Sequence, residues 1–162
     1  MTLGRGRKGD VALGLRLAVL STTISLALAG ALRADPFCEA VETMHITING
    51  GRGSVTSLAL PSPLVGTSSC QTSLALSGGQ SQTCGWAFAY RSEAAQQAFD
   101  AVLDALVLCL GKHAAVRKDT AVNHPDFYDL RLFRSETAEI AVSIKDKGAL
   151  QETYVFLRVA GL

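Results

Sequence analysis

The densest group of side chains that could do chemistry lies between positions 112 and 129. His124 and Asp126 have the types and the spacing of a general base and the carboxylate that orients it, and Tyr128 follows them. The same segment also suits a turn, because Pro125 fixes the backbone and Asp126 can close the turn. We interpret it as a turn. We keep His124, Asp126 and Tyr128 as candidate binding residues, because loops often carry such residues.

A second candidate is a run of charges in which Lys145 and Lys147 could present two ammonium groups to an anionic partner. Such a run is also typical of a solvated hairpin turn, formed here by residues 146–148. The chain has no G-x-S-x-G motif. His113 stands four residues after Cys109, but no second pair of this kind completes a metal site. The sequence thus predicts no catalytic centre, no cofactor and no metal.

The cysteines indicate an oxidising compartment. They are Cys38, Cys70, Cys84 and Cys109, and no two of them form a C-x-x-C pair. An even number without metal-type spacing predicts two disulfides, for which three connectivities are possible.

The first 34 residues have the features of a secretory signal peptide. Basic residues come first, and an apolar run spans positions 17–32. Ala-Gly-Ala at 29–31 offers a cleavage site, and Leu-Arg-Ala at 32–34 offers a weaker one. The apolar run is shorter than the ~20 residues that a membrane span needs, so we expect cleavage and no stable membrane anchor. Residues 35–162 then form a single disulfide-bonded domain.

Length and composition fit one globular domain. Of the 162 residues, 48% are hydrophobic and 18% are charged, which excludes a disordered chain. Residues 35–162 carry 10 basic and 13 acidic side chains, so the domain is mildly acidic. This charge gives no electrostatic basis for binding nucleic acid or an anionic membrane surface.

The spacing of apolar residues predicts two helices. The first covers residues 36–45, with Pro36 in its first turn, and the second covers 92–110, with Ser92 as its cap and Gly111 after its end. In the second helix, apolar residues recur every three or four positions, which is typical of a helix packed against other elements. We expect this long helix to cover one side of a sheet.

Six strands are predicted from alternating apolar residues, three before and three after the second helix. They lie at residues 55–60, 69–76, 83–90, 128–132, 140–144 and 155–159. The last three strands are predicted to form an antiparallel meander, in which one strand carries apolar residues on both faces and is therefore expected to be central. Residues 112–126 have no sustained periodicity and are predicted to form a long loop. The order α-β-β-β-α-β-β-β predicts an α+β two-layer sandwich with an antiparallel sheet of five to six strands.

The disulfide pattern follows from which residues share a face of the first hairpin. Both strands carry their large side chains at even positions, and these side chains must share one face of the hairpin. The residue numbers of two directly opposed residues must therefore add up to an even number. A sum of 156 sets Cys70 opposite Trp86, whereas a sum of 154 sets it directly opposite Cys84 with close Cβ atoms. We therefore predict the pairs Cys70–Cys84 and Cys38–Cys109. The pair Cys84–Cys109 is the alternative, since a helix lying across the sheet could also form it.

The arrangement of the cysteines resembles that of small uncharacterised exported proteins of bacteria, notably alphaproteobacteria. The shared features are Cys38 near a first helix, Cys70 and Cys84 flanking a hairpin, Trp86 two residues later, and Cys109 closing a helix. The resemblance covers most of residues 37–111. It implies a periplasmic location and the same α+β order, but no activity. The element order is also similar to that of type III secretion chaperones, which are cytoplasmic and lack these cysteines.

Two functional hypotheses remain. The first is a non-catalytic exported module that binds another envelope protein or a small ligand. The second is a small periplasmic hydrolase that uses the loop with His124 and Asp126. If these two side chains converge with His113, Lys145 or Lys147 in a concave pocket, the hydrolase is favoured.

Overall fold

The computed structural model describes residues 35–74, 78–111, 116–120 and 126–162. These residues belong to one compact unit, which spans Arg33–Leu162. The predicted signal peptide at 1–34 lies outside the described residues, as do His113 and His124. The described elements are, in chain order, α1 (Pro36–Ile48), β1 (Ser69–Leu74), β2 (Gln80–Ala89), α2 (Glu93–Leu110), β3 (Val116–Asp119), β4 (Tyr128–Arg134), β5 (Ala138–Lys147) and β6 (Glu152–Gly161).

Both helices begin at residues that satisfy their free backbone N–H groups. The Asp35 side chain accepts a hydrogen bond from the Phe37 N–H at the start of α1 (2.8 Å), where Pro36 occupies the first turn. The Ser92 side chain accepts from the Ala95 N–H at the start of α2 (3.3 Å). Gly111 follows α2 with a φ of 64°, in the left-handed region that favours glycine. The predicted cap, first-turn proline and terminating glycine are confirmed.

The six strands form one antiparallel sheet in the order β1-β2-β6-β5-β4-β3. Strands β4, β5 and β6 form the predicted antiparallel meander, and β6 lies inside the sheet because it pairs with β2 on one side and β5 on the other. The predicted class, α+β with an antiparallel sheet, is therefore correct, and the sheet has six strands.

The core lies between the helices and one face of the sheet. Trp86, Val155 and Ile144 are paired across β2, β6 and β5, so they share this face, and all three are buried. The buried stripes of α1 and α2 belong to the same cluster and include Met44 and Phe99. The sequence predicts that one long helix covers this side of the sheet. In the structure both helices contact the sheet, so the 18-residue α2 covers it together with α1.

Both predicted disulfides are present. Cys70 lies directly opposite Cys84 in the β1–β2 ladder, as the register sum of 154 requires, and their Cα atoms are 4.0 Å apart. Cys38 of α1 is bonded to Cys109 of α2, with a Cα–Cα distance of 5.3 Å. The alternative pair Cys84–Cys109 is thereby wrong.

The strand predicted at residues 55–60 is wrong. This segment forms only one isolated bridge, between Ala59 and Thr67. Val55 and Leu58 are both buried although they are three positions apart, which breaks the alternation of a strand. Pro61 then ends the segment, and the Leu60 N–H bonds to the Gly66 carbonyl across a loop (2.8 Å). The order is thus α-β-β-α-β-β-β-β.

Part of the long loop predicted at residues 112–126 is instead strand β3. Its four residues pair with β4, from Val116 opposite Phe133 to Asp119 opposite Leu130. An edge strand needs only backbone pairing on one side, and charged residues are common there. The sequence Val-Arg-Lys-Asp contains one apolar residue, so its hydrophobic pattern carries no strand signal.

The turn predicted at residues 146–148 is misplaced. Strand β5 continues to Lys147, a 3-10 turn covers Gly148–Leu150, and Gln151 takes a left-handed φ of 54° before β6 begins. The reason is that Asp146 faces the core and is buried, which holds its backbone in the strand.

Candidate functional site

A cavity of about 630 Å³ opens between α1, the end of α2 and the turn that joins β4 to β5. Cavities of this size are typical of sites for small ligands. Its described lining residues are Val41, Glu42, His45, Leu110, Phe133, Arg134, Ser135, Glu136 and Ile140. We call it the α1–turn cavity.

The floor of the α1–turn cavity is apolar and reaches the core. Phe133 and Ile140 lie directly opposite each other on β4 and β5, on the face that the helices contact. Val41 meets them from the buried stripe of α1. Only 4% of Val41, 1% of Phe133 and 6% of Ile140 is exposed, so these side chains are held in place by the core. The floor is therefore pre-formed, which lowers the entropic cost of binding an apolar group.

The polar residues of the cavity come from two facing walls. Glu42 and His45 are three positions apart on α1, so they lie on one side of the helix. Arg134, Ser135 and Glu136 form the opposite wall, at the end of β4 and in the turn that follows. Each wall thus carries one carboxylate and one basic side chain.

Hydrogen bonds hold the two walls together. His45 Nε2 is 2.9 Å from the Thr137 hydroxyl oxygen, which ties α1 to the β4–β5 turn. Within the turn, the Ser135 N–H donates to the Ala138 carbonyl (2.9 Å), and the Ser135 hydroxyl oxygen accepts from the Ala138 N–H (3.0 Å). These two hydrogen bonds close the turn between Ser135 and Ala138. They fix the backbone of Glu136 within the turn and that of Arg134 next to it.

The charges of the cavity have no ion-pair partner among the described residues. The ion pairs within 4.0 Å in this part of the chain involve other residues, at Asp146 and Asp129. Glu42, Arg134 and Glu136 are exposed to solvent. A charged ligand can pair with them without first breaking an internal ion pair.

The Cys38–Cys109 disulfide joins the two helices that border the cavity. Cys109 precedes Leu110, a lining residue, and its bond to Cys38 fixes the end of α2 against α1. The bond thus limits the separation of the two helices that border the cavity.

Four of the predicted binding residues lie elsewhere, around the end of β5. Tyr128 and Lys145 are cross-strand partners, and Lys147 lies two residues further along β5. Asp126 Oδ2 accepts a hydrogen bond from the Gly148 N–H (3.4 Å). None of these four side chains lines the α1–turn cavity. His124, the fifth candidate, lies outside the described residues, so its pairing with Asp126 stays a prediction.

Asp126, Tyr128 and Lys147 have structural partners. The Lys147 ammonium lies 5.9 Å from the centre of the Tyr154 ring, and the same ring stacks on Phe156 at a centroid distance of 5.6 Å. The first contact joins β5 to β6, whereas the second lies within β6. Burial raises the pKa of Tyr128, although a hydrogen bond with Ser143 acts in the opposite direction. The phenol therefore stays protonated at neutral pH.

A second cavity, of about 440 Å³, lies at the start of α2. Asp146 is its most buried charge, with 2% of its side chain exposed. Its two oxygens accept from Arg91 Nε (2.7 Å) and from the Thr153 hydroxyl (2.6 Å). The hydrogen bond to Asp146 is the main reason that the pKa of Arg91 is raised. Since these groups satisfy one another, we assign them a structural role at the junction of α2 and the sheet.

Sequence reasoning missed the α1–turn cavity. By sequence alone, His45 is a cation near the end of the first helix, and residues 135–137 are a turn between two strands. Nothing in the sequence indicates that α1 and this turn are neighbours, because 92 positions separate His45 from Thr137.

Among the described residues, no helix is both long and apolar enough to cross a membrane. The same residues contain no group of three or more His, Cys, Asp or Glu side chains placed to hold a metal ion. Comparison of the chain with protein-family models, with curated proteins and with solved structures finds no match.

Proposed function

We propose that this protein is a non-catalytic binding module that holds the apolar part of a ligand in the α1–turn cavity. The observation that carries the proposal is the combination of an apolar floor, formed by Val41, Phe133 and Ile140, with charged walls that have no ion-pair partner among the described residues. Ligand sites typically join such an apolar surface to a few polar groups that orient the ligand.

The driving force would be the removal of apolar surface from water. Each methylene group buried in the cavity contributes roughly 0.8 kcal/mol before the cost of immobilising the ligand. Micromolar affinity corresponds to about 8.2 kcal/mol, so it would require roughly ten buried methylene groups even before the cost of immobilising the ligand is included.

We further propose that the module acts outside the cytoplasm, in the bacterial envelope. The two disulfides indicate an oxidising compartment. Cleavage within residues 29–34 would release the domain from its signal peptide. In the released domain, the helices would form one layer and the sheet the other layer of a two-layer sandwich. The intact mass of the exported product tests this location, and an uncleaved chain in the membrane fraction would argue for an anchor.

The binding proposal is tested with N-phenyl-1-naphthylamine, a neutral probe whose fluorescence rises in an apolar site. We expect saturable binding to the unmodified domain. Leu110→Trp places a larger side chain at the cavity and is expected to weaken binding at least tenfold, or about 1.4 kcal/mol.

Leu108→Trp is the matched control. Leu108 lies on the same helical turn as Leu110, but it is 82% exposed and does not line the cavity. This variant is expected to bind the probe within twofold of the unmodified domain, and circular dichroism checks that both variants fold. Equal probe binding by the two variants, or no binding by the unmodified domain, would contradict the proposal.

A further inference from the structure

We infer that the sheet face opposite the helices is a docking surface for a second copy of this chain. The part of that copy which docks is the outer side of its helix α2. Neither surface borders the α1–turn cavity, so this inference goes beyond the proposed function and does not depend on it.

The docking surface consists of the side chains that alternate with the core residues of three adjacent strands. Val155 and Leu157 of β6 are buried under the helices, so the residues between and after them point to the other side of the sheet. Together with their cross-strand partners they form what we call the open face: Thr83, Gly85, Ala87, Ala141, Ser143, Lys145, Tyr154, Phe156 and Arg158.

The centre of the open face is aromatic and low. The Tyr154 and Phe156 rings are half-buried and stack with a centroid distance of 5.6 Å. A Cβ atom at Gly85 would lie 2.9 Å from the Phe156 ring, so this ring rests against the glycine. The solvated face of an antiparallel sheet is commonly polar. Two aromatic rings among small neighbours instead form a surface on which a helix can pack as a further layer.

The charges within the open face are basic. Lys145 lies opposite Tyr154, and Arg158 lies two positions beyond Phe156 on the same side of β6. Neither has an ion pair within 4.0 Å among the described residues. The next pair along the ladder, Lys147 and Glu152, offset each other. Since residues 35–162 carry 10 basic and 13 acidic side chains, the open face has the opposite sign to the domain as a whole.

The outer side of α2 carries the complementary charge. Its acidic residues are Glu93, Asp100 and Asp104, and the helix contains no Lys or Arg. With Gln97 and Val107 they follow steps of three and four positions, so these five exposed residues share one side of the helix. We call this side the α2 stripe. Val107 is 44% exposed, so the α2 stripe joins carboxylates to an apolar residue, as the open face joins bases to aromatic rings.

The spacing of the charges also matches. Glu93 and Asp104 are separated by about 16 Å along the helix axis, at 1.5 Å per residue. Lys145 is four positions from Ala141, the cross-strand partner of Arg158, so the two bases are roughly 13 Å apart along the strands. The long Lys and Arg side chains can bridge the difference, so that two carboxylates meet two bases in one contact.

This complementarity selects an asymmetric contact between copies. Two open faces repel each other, and so do two α2 stripes, which disfavours a symmetric dimer through either surface. The α2 stripe points away from the sheet, whereas the open face points away from the helices. Each copy can therefore contact two neighbours, and the contact extends into short chains rather than closing as a dimer.

Sedimentation velocity of residues 35–162, at concentrations up to about 1 mM, measures this association. We expect the average mass to rise with protein concentration. The contact is made by exposed charges, which salt screens, so the association constant should fall at least tenfold between about 0.05 M and about 0.5 M sodium chloride.

Charge reversal tests whether the two surfaces meet each other. Lys145→Glu with Arg158→Glu makes the open face acidic, and Asp100→Lys with Asp104→Lys makes the α2 stripe basic. Each double variant sets like charges against each other and should associate at least tenfold more weakly. The chain with all four substitutions restores opposite charges and should regain association. Arg52→Glu is the control, because Arg52 is exposed and lies outside both surfaces, and it should leave association within twofold.

Three outcomes would overturn the inference: a domain that stays monomeric at every concentration, a fourfold variant that does not regain association, or a control that weakens association as much as the double variants. In the second case the open face serves a partner other than a copy of this chain. Circular dichroism checks that each variant folds. If a reversed chain does not fold, Lys145→Gln with Arg158→Gln replaces it, and unchanged association of that variant would equally overturn the inference.

Discussion

Reducing the two disulfides should cost different amounts of stability, and the difference can be worked out from chain length. Cys38–Cys109 closes a loop with a sequence separation of 71, and Cys70–Cys84 closes one of 14. Cross-linking removes conformational entropy from the unfolded chain, by an amount that rises with the logarithm of loop length. At 25 °C this gives about 4.4 kcal/mol for the long loop and about 3.0 kcal/mol for the short one.

Two double variants isolate the bonds. Cys70→Ala with Cys84→Ala keeps only Cys38–Cys109, and Cys38→Ala with Cys109→Ala keeps only Cys70–Cys84. For each variant, urea unfolding is measured with the remaining bond oxidised and then reduced. The reduced thiols keep nearly the same side-chain volume, so the change in the free energy of unfolding reports mainly the cross-link.

We expect reduction of Cys38–Cys109 to cost more, by about 1.4 kcal/mol, than reduction of Cys70–Cys84. Reduction should also weaken probe binding in the first variant, because the bond fixes the end of α2 beside the α1–turn cavity. An equal or larger loss of stability on reducing Cys70–Cys84 would refute the argument from loop entropy.

Three further predictions concern the sheet. Asp146→Asn weakens the buried hydrogen bond that the Thr153 hydroxyl donates and should lower the free energy of unfolding by about 1–3 kcal/mol in urea titrations. Gly85→Ala brings a Cβ to 2.9 Å from the Phe156 ring and should cost about 1–3 kcal/mol, a loss that Phe156→Leu is expected to reduce in a double-mutant cycle. The raised pKa of Tyr128 means that the folded state keeps this proton longer than the unfolded chain. Stability should therefore fall as pH rises above the usual tyrosine pKa of about 10, and Tyr128→Phe should reduce that fall in pH-dependent urea titrations.

The sequence was most informative where one face of an element is buried. The even positions of the large side chains reduced the first hairpin to two registers, and the one that sets Cys70 opposite Cys84 is present. Periodicity likewise placed α2 and its cap at Ser92. In these cases the side-chain pattern and the backbone geometry depend on the same burial, so that one predicts the other.

Prediction failed where backbone pairing or distant contacts decide the structure. Strand β3 is held by backbone bonds to β4 and carries one apolar residue, so no pattern marked it. Asp146 has the residue type of a turn, yet Arg91 and Thr153 hold it inside β5. The α1–turn cavity is built from three elements far apart in the chain, so its residues could be assembled only from the fold.

The position of β6 also has a consequence for when the domain can form. Strand Glu152–Gly161 lies between β2 and β5, and it follows the other five described strands in sequence. Until it is available, the β1–β2 hairpin and the β3–β4–β5 group have no hydrogen bonds between them in this sheet. A chain that emerges from its amino end, from a ribosome or through a translocation channel, therefore holds two separate half-sheets. Closure of the sheet by β6 joins contacts of long sequence separation, which makes folding slow and places it after emergence of the whole domain.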